Sequence, residues 1–200
     1  MIKHLLAPVF ALLCLSNVAW GQQPPKSPLV RAFGDNKFWM LAEDMRWTIG
    51  SSSDTIVVPK GFVTDFASIP KGLWSLGLAP NGQYTRAATI HDYLYWSQGC
   101  TKAQSDRLLL IAMKESKVGR FDETVVYQGV DKGGGLAWRK NAADRKAGLP
   151  RIVPAEYLSP DDPNIHWPEY RSMLAKLHLV EPPFEAHPKY CSYGDTTDVP

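Results

Sequence analysis

The 200-residue chain contains no apolar run of the roughly 20 residues that a bilayer-spanning helix needs. It also has no basic cluster. Lys, Arg, Asp and Glu are interspersed, and the formal charge of +2 leaves no electrostatic footprint for a nucleic-acid partner. No internal repeat and no low-complexity tract occurs, and cysteine is scarce, at three residues. A hydrophobic fraction of 44% and a charged fraction of 21% are those of an ordinary globular protein of one domain with a tail.

The longest apolar stretch, Leu5 to Leu15, is preceded by Lys3 and His4 and followed by the small residues Ala19 and Gly21. This pattern reads as a signal peptide over residues 1–21, cut near Gly21-Gln22, which makes the mature protein periplasmic or secreted. Cys14 sits inside the run behind Leu13, where lipoprotein processing would want a small residue. Cleavage leaves Cys100 and Cys191. They either remain free thiols or form one disulfide that pins the C-terminal tail beside the central helix.

Residues 22–29 read as a disordered lead. The body, 30–148, begins with strand-like segments at Phe38–Leu41, Met45–Ile49, Thr55–Val58 and Phe62–Thr64, whose alternation and β-branched content predict a small antiparallel sheet. A short apolar piece at Leu73–Leu76 predicts one or two helical turns, which Asp65 and Ser68 are suited to cap. A helix follows over about 84–97, with Gly99 placed to supply a left-handed terminating residue. Thr101 and Gln104 form a capping-box pattern that starts a second helix, ending near Val118-Gly119. Residues 122–130 are open between helix and strand, and Gly133-Gly134-Gly135 reads as a flexible break. The glycines do not make a phosphate loop, because no strand precedes them and no Lys-Ser/Thr pair follows. From Pro150 the chain is proline-rich: an extension over 149–200, with one short helix near Pro168–His178 and an extended tail from Glu181. The expected fold is α+β, a small N-terminal antiparallel sheet on an antiparallel helix pair, with further helices and an irregular tail.

The chemistry concentrates on the helix pair. His91 and Tyr95 lie one turn apart on the first helix. The capping box makes Asp106 an interior residue of the second, and Leu109, Leu110 and Met113 place it on the apolar stripe. A buried carboxylate needs a partner, and the facing helix offers His91. Such a pair fixes the imidazole tautomer and can activate water. Asp92, on a neighbouring face, is a candidate ligand for a divalent cation, with Ca²⁺ the best match to oxygen donors. Arg86 and Tyr84 are candidate substrate-binding residues. Each has a plain alternative: His91 and Asp106 as a structural core pair, Asp92 as a solvated helix residue, Arg86 as an ion-pair partner of Asp65 or Asp92, and Tyr84 and Tyr95 as core aromatics. His166, His178 and His187 show no metal-ligand spacing.

Three ordered motifs carry a family resemblance: Gly61-Phe62-Val63-Thr64-Asp65-Phe66-Ala67-Ser68-Ile69-Pro70, then Tyr84-Thr85-Arg86-Ala87-Ala88-Thr89-Ile90-His91-Asp92-Tyr93-Leu94-Tyr95, then Ser105-Asp106-Arg107 with Met113. Over roughly residues 38–130 the chain resembles the phage- and prophage-associated bacterial family known as domain of unknown function 1353. More distantly, His91-Asp92-x-x-Tyr95 with Asp106 on the next helix is similar to the active-site helices of secreted and parvoviral phospholipases A2. That resemblance implies His91 as general base, Asp106 as its dyad partner, Tyr95 as a hydrogen-bonding support and Asp92 as the calcium carboxylate. The glycine-rich calcium loop of those enzymes is missing, and the spacing from His91 to Asp106 is shorter. Asp65 with nearby carbonyls is the candidate replacement for that loop.

These observations leave three readings. One is an exported, metal-assisted hydrolase in contact with lipid, and another is a hydrolase of cell-wall material. The third is a non-enzymatic envelope or prophage-derived module whose His-Asp network is structural. Geometry separates them: a His91–Asp106 pair at the floor of an open cleft favours an enzyme, and a sealed pair favours the module.

Overall fold

The computed structural model describes residues 27–66 and 83–200. The expected signal peptide, the first part of the lead, Ser68 and the helical turns at Leu73–Leu76 lie outside the described residues.

The protein is α+β. Strands β1 (Val30–Ala32), β2 (Trp39–Leu41) and β5 (Val63–Thr64) form one antiparallel sheet in the order β1-β2-β5. Strands β3 (Met45–Thr48) and β4 (Thr55–Val58) form a separate hairpin, with Trp47 opposite Ile56. The sequence suggested a single sheet. It divides because β2 is paired on both edges, with Val30 opposite Leu41 and Met40 opposite Val63, and no edge remains for β3. In β3 the buried and exposed positions alternate, so Met45 and Trp47 face the core.

Helices α1 (Gln83–Ser97) and α2 (Lys102–Glu115) pack against each other across the link of residues 98–101. The capping box forms as expected: Thr101 Oγ1 accepts from the Gln104 amide at 3.2 Å, and Gln104 Oε1 accepts from the Thr101 amide at 3.0 Å. The left-handed residue ending α1 is Gln98, with φ 52°, not Gly99. Gly99 is needed for a different reason, since a Cβ there would lie 2.6 Å from the Glu185 carbonyl oxygen. Helix α3 (Arg120–Gly133) resolves the open segment as helix, and α4 (Gly135–Lys146) follows directly. The glycine run is therefore a one-residue joint and no flexible loop: Gly134 has φ −68° and ψ −14°.

The hairpin, α1 and α2 enclose one core, in which Trp47, Ile56, Ile90, Leu94, Leu108 and Met113 are fully or almost fully buried. A second core joins Phe33, Met40 and Val63 to Val153, Ile165, Trp167, Tyr170 and Leu174 of the C-terminal segment. Five large side chains at about 1.5–3 kcal/mol each account for the order of this proline-rich region. Its helix is α5 (Trp167–Lys176), close to the expected span, with Pro168 in the first turn. The tail is not extended throughout. A 3₁₀ turn, Lys189–Asp195, docks on α2, and the disulfide Cys100–Cys191 fastens it there.

Candidate functional site

Two polar constellations sit on α1, and the structure separates them. The first is sealed. His91 Nε2 lies 2.9 Å from Asp106 Oδ1, and the Tyr95 hydroxyl donates to the same oxygen at 2.6 Å. Asp106 is 0% and His91 3% exposed. The second carboxylate oxygen, Oδ2, accepts from Lys102 Nζ at 2.6 Å. Thr101 starts α2 one residue before Lys102, so Lys102 and Asp106 stand one turn apart. Lys102 Nζ also donates to the carbonyls of Val130 and Asp131, at 2.9 and 3.0 Å. These belong to the last turn of α3, the negative end of that helix, where a cation is favoured. Burial pushes the Asp106 carboxyl up, but hydrogen bonds from His91, Lys102 and Tyr95 outweigh it and hold it below the usual carboxylate range. The joint at Gly134 completes the arrangement, since a Cβ there would fall 2.3 Å from the Tyr95 phenol oxygen.

The second constellation faces a cavity of about 780 Å³ between α1, α3, α4 and α5. Its walls are mainly apolar, with Val125, Val126, Val130, Leu149 and Trp167 among them. Asp65, Asp92, Arg151 and Tyr84 form its polar end. Thr64 Oγ1 donates to Asp92 Oδ2 at 2.5 Å, and the Asp65 amide donates to the same oxygen at 3.2 Å. Burial, then the Asp65 charge, push the Asp92 carboxyl up to about 7, against the opposing pull of Arg151 and Thr64. Phe66 follows Asp65 with φ 56°, a left-handed conformation costly for a bulky residue, and turns the chain sharply out of β5.

Arg151 is the residue that sequence reasoning missed. Residues 151–153 run antiparallel beside β5: the Val63 amide donates to the Arg151 carbonyl and the Val153 amide to the Gly61 carbonyl, both at 2.9 Å. Arg151 Nε donates to the Val63 carbonyl at 2.8 Å, which leaves Nη2 at 3.5 Å from Asp65 and 3.8 Å from Asp92. Glu181 fixes this segment from behind, accepting from the amides of Arg151 and Ile152 and from the Trp96 indole. No local pattern signals either residue, because their roles depend on tertiary pairings that span from 29 to 88 positions.

The structure thus brings His91, Tyr95 and Asp106 together, and separately Asp65, Asp92 and Tyr84. Tyr95 touches both groups: its hydroxyl serves Asp106 and its ring lines the cavity. Among the described lining residues neither His91 nor Asp106 is present. Arg86 is elsewhere, in a separate 240 Å³ depression with Leu29, Glu43 and Met45. Among the described residues no group of three or more His, Cys, Asp or Glu is arranged to hold a metal ion. Tyr84 Oη is buried without a hydrogen-bond partner. Burial, then the nearby carboxylates of Asp92 and Asp65, push its phenol well above the usual range.

No curated protein and no solved structure matches the chain. Residues 39–130 match the family model described as "Protein of unknown function (DUF1353)". That span holds β2 to β5, both helices of the His-Asp network and most of α3, and this part of the chain is a DUF1353 segment.

Proposed function

We propose that this protein is an exported, non-enzymatic binding module of the cell envelope or of prophage origin, in which the His91–Asp106 network fastens α1 to α2 and the adjacent cavity receives a small ligand. The observation that carries this reading is the burial of the pair away from the cavity wall. A general base must reach the proton it abstracts, directly or through one water, and a sealed imidazole tied to a triply bonded carboxylate is built for rigidity. Export is supported by Lys3, His4 and the Leu5–Leu15 run, and by the disulfide, since such bonds persist in oxidising compartments.

The carboxylate pair at the cavity end favours a second reading, a hydrolase of lipid or cell-wall material working from Asp92 and Asp65 instead of His91. Calcium belongs to that reading. It would bind where Arg151 now neutralises the pair, so the guanidinium must swing away, and the signature is a melting temperature raised by Ca²⁺ but not by Mg²⁺.

One set of measurements decides between them. The mature protein is incubated with phospholipid vesicles, with and without Ca²⁺, and with peptidoglycan, alongside His91→Asn and Asp92→Asn. The binding-module reading expects no fatty-acid release and no clearing, and a melting temperature lowered in His91→Asn. Breaking a buried pair costs about 3 kcal/mol, or roughly 6–12 °C for a chain of this size. Turnover lost in Asp92→Asn but kept in His91→Asn would establish the second reading, and turnover lost in a folded His91→Asn would overturn the structural role of the pair.

A further inference from the structure

The cavity has a chemical polarity that narrows what it takes. Its walls are apolar along α3, while a second polar cluster, Lys140, Asp144 and Arg171, is closed on itself, with Asp144 ion-paired to both cations at 2.7 and 2.8 Å. Val125, Gly129 and Gly133 recur every four residues along the cavity side of that helix. A glycine inside a helix is costly relative to alanine, and a Cβ at Gly129 or at Gly133 would meet nothing within 4 Å. Both glycines are exposed, so the cavity is open to solvent along this side of α3 and a longer side chain there would project into its mouth. A volume of about 780 Å³ lies within the range of small-molecule sites.

The polar end rejects full charges of either sign. An anionic head group would face two carboxylates, Asp65 and Asp92. A cationic head group would compete with Arg151, which already stands 3.5 and 3.8 Å from them. What the end offers is hydrogen bonding. Carboxylate oxygens each carry two lone pairs and accept from hydroxyl donors. Tyr84, only 5% exposed and on the same wall, has a hydroxyl that bonds to nothing. An unpaired buried hydroxyl costs about 1–3 kcal/mol, and it marks a position where an incoming group can both give and receive a hydrogen bond.

We infer that the cavity binds an uncharged amphiphile, an acyl or similar apolar body lying along Val125, Gly129 and Gly133, with a hydroxyl-bearing head between Tyr84 and the Asp65–Asp92 pair. This rests on the binding-module reading above and names the class of ligand for it. A water molecule bridging Tyr84 to the carboxylates, with no ligand site at all, is the competing account.

The test uses the full mature chain and three probes of equal chain length below their micellar concentrations: 1-monomyristoylglycerol, myristate and tetradecyltrimethylammonium. Binding is followed by calorimetry and by fluorescence of Trp167 and its neighbours. Monomyristoylglycerol should bind at least tenfold more tightly than either charged probe. Tyr84→Phe, which keeps the ring, should weaken it about five- to tenfold. Gly129→Leu should fold with an unchanged or higher melting temperature and weaken binding at least fivefold by obstructing the cavity mouth beside α3. Equal or tighter binding of a charged probe, full binding by Gly129→Leu, or no binding of any probe would overturn the inference. The three failures leave the binding-module reading standing, whereas myristate released from the monoacylglycerol in the same samples would overturn that reading itself.

Discussion

At the scale of single residues, two carboxyl groups on neighbouring helices are shifted in opposite directions. Asp92, buried beside Asp65, is pushed up to about 7. The folded protein therefore keeps a proton that the unfolded chain releases near pH 4, and stability falls as pH rises from about 4 to about 7, by at most about 1.4 kcal/mol per unit. Asp106 is held below the usual range, so its contribution is present above pH 4 and is lost as pH falls through its folded value. Thermal melts from pH 3 to pH 9 should show both limbs. Asp92→Asn, which keeps the shape without the charge, should remove the upper limb: its melting temperature should exceed the parent's at pH 8 and match it near pH 4. A parent with a flat profile between pH 4 and pH 7 would contradict the buried carboxyl pair.

At the scale of elements, the start of α2 sets the register of the whole network. Thr101→Ala removes the cap and should cost about 1 kcal/mol, or roughly 2–4 °C in melting temperature; Thr101→Ser should restore it. The helix pair was legible in the sequence for the same reason that this cap matters. Thr101 and Gln104 fix where the helix begins, and Asp106 then falls in line with Leu109, Leu110 and Met113, of which Leu110 is only half-buried, so a partner on α1 was to be expected. Lys102 was legible only in part, since its reach to Asp106 follows from the spacing but its reach to α3 does not. Helix α4 left no trace, because Asn141 is its one buried residue and Arg139, Lys140 and Asp144 break any apolar stripe. Arg151 and Glu181 were beyond sequence reasoning, since each acts through a tertiary pairing that leaves no periodic signal. The division of the strands into two sheets was hidden likewise, because it depends on which edges of β2 are taken.

At the scale of the whole molecule, the tail is a structural strap. The bond between Cys100 and Cys191 closes a span of 91 residues, worth about 4–5 kcal/mol by chain entropy. Gln104 donates to Asp195, Arg107 to the Gly194 carbonyl, and Lys114 to the Thr197 carbonyl, so the strap follows α2 for most of its length. Reduction, or Cys100→Ser with Cys191→Ser, should lower the melting temperature by roughly 10 °C or more while the far-ultraviolet circular dichroism at 20 °C stays that of the parent. A reduced protein that melts with the oxidised one would show that packing of the 3₁₀ turn alone holds the tail.

The place of Arg151 and Glu181 in the chain also orders events in time. Residues 39–130 are synthesised first and contain both carboxylates and the helix pair, but the cation that balances those carboxylates, and the acid that anchors it, follow at positions 151 and 181. Until they arrive, the buried Asp92 and the half-buried Asp65 lack the guanidinium of Arg151 beside them. A nascent chain therefore has an unfinished pocket until residues 151 and 181 have been made.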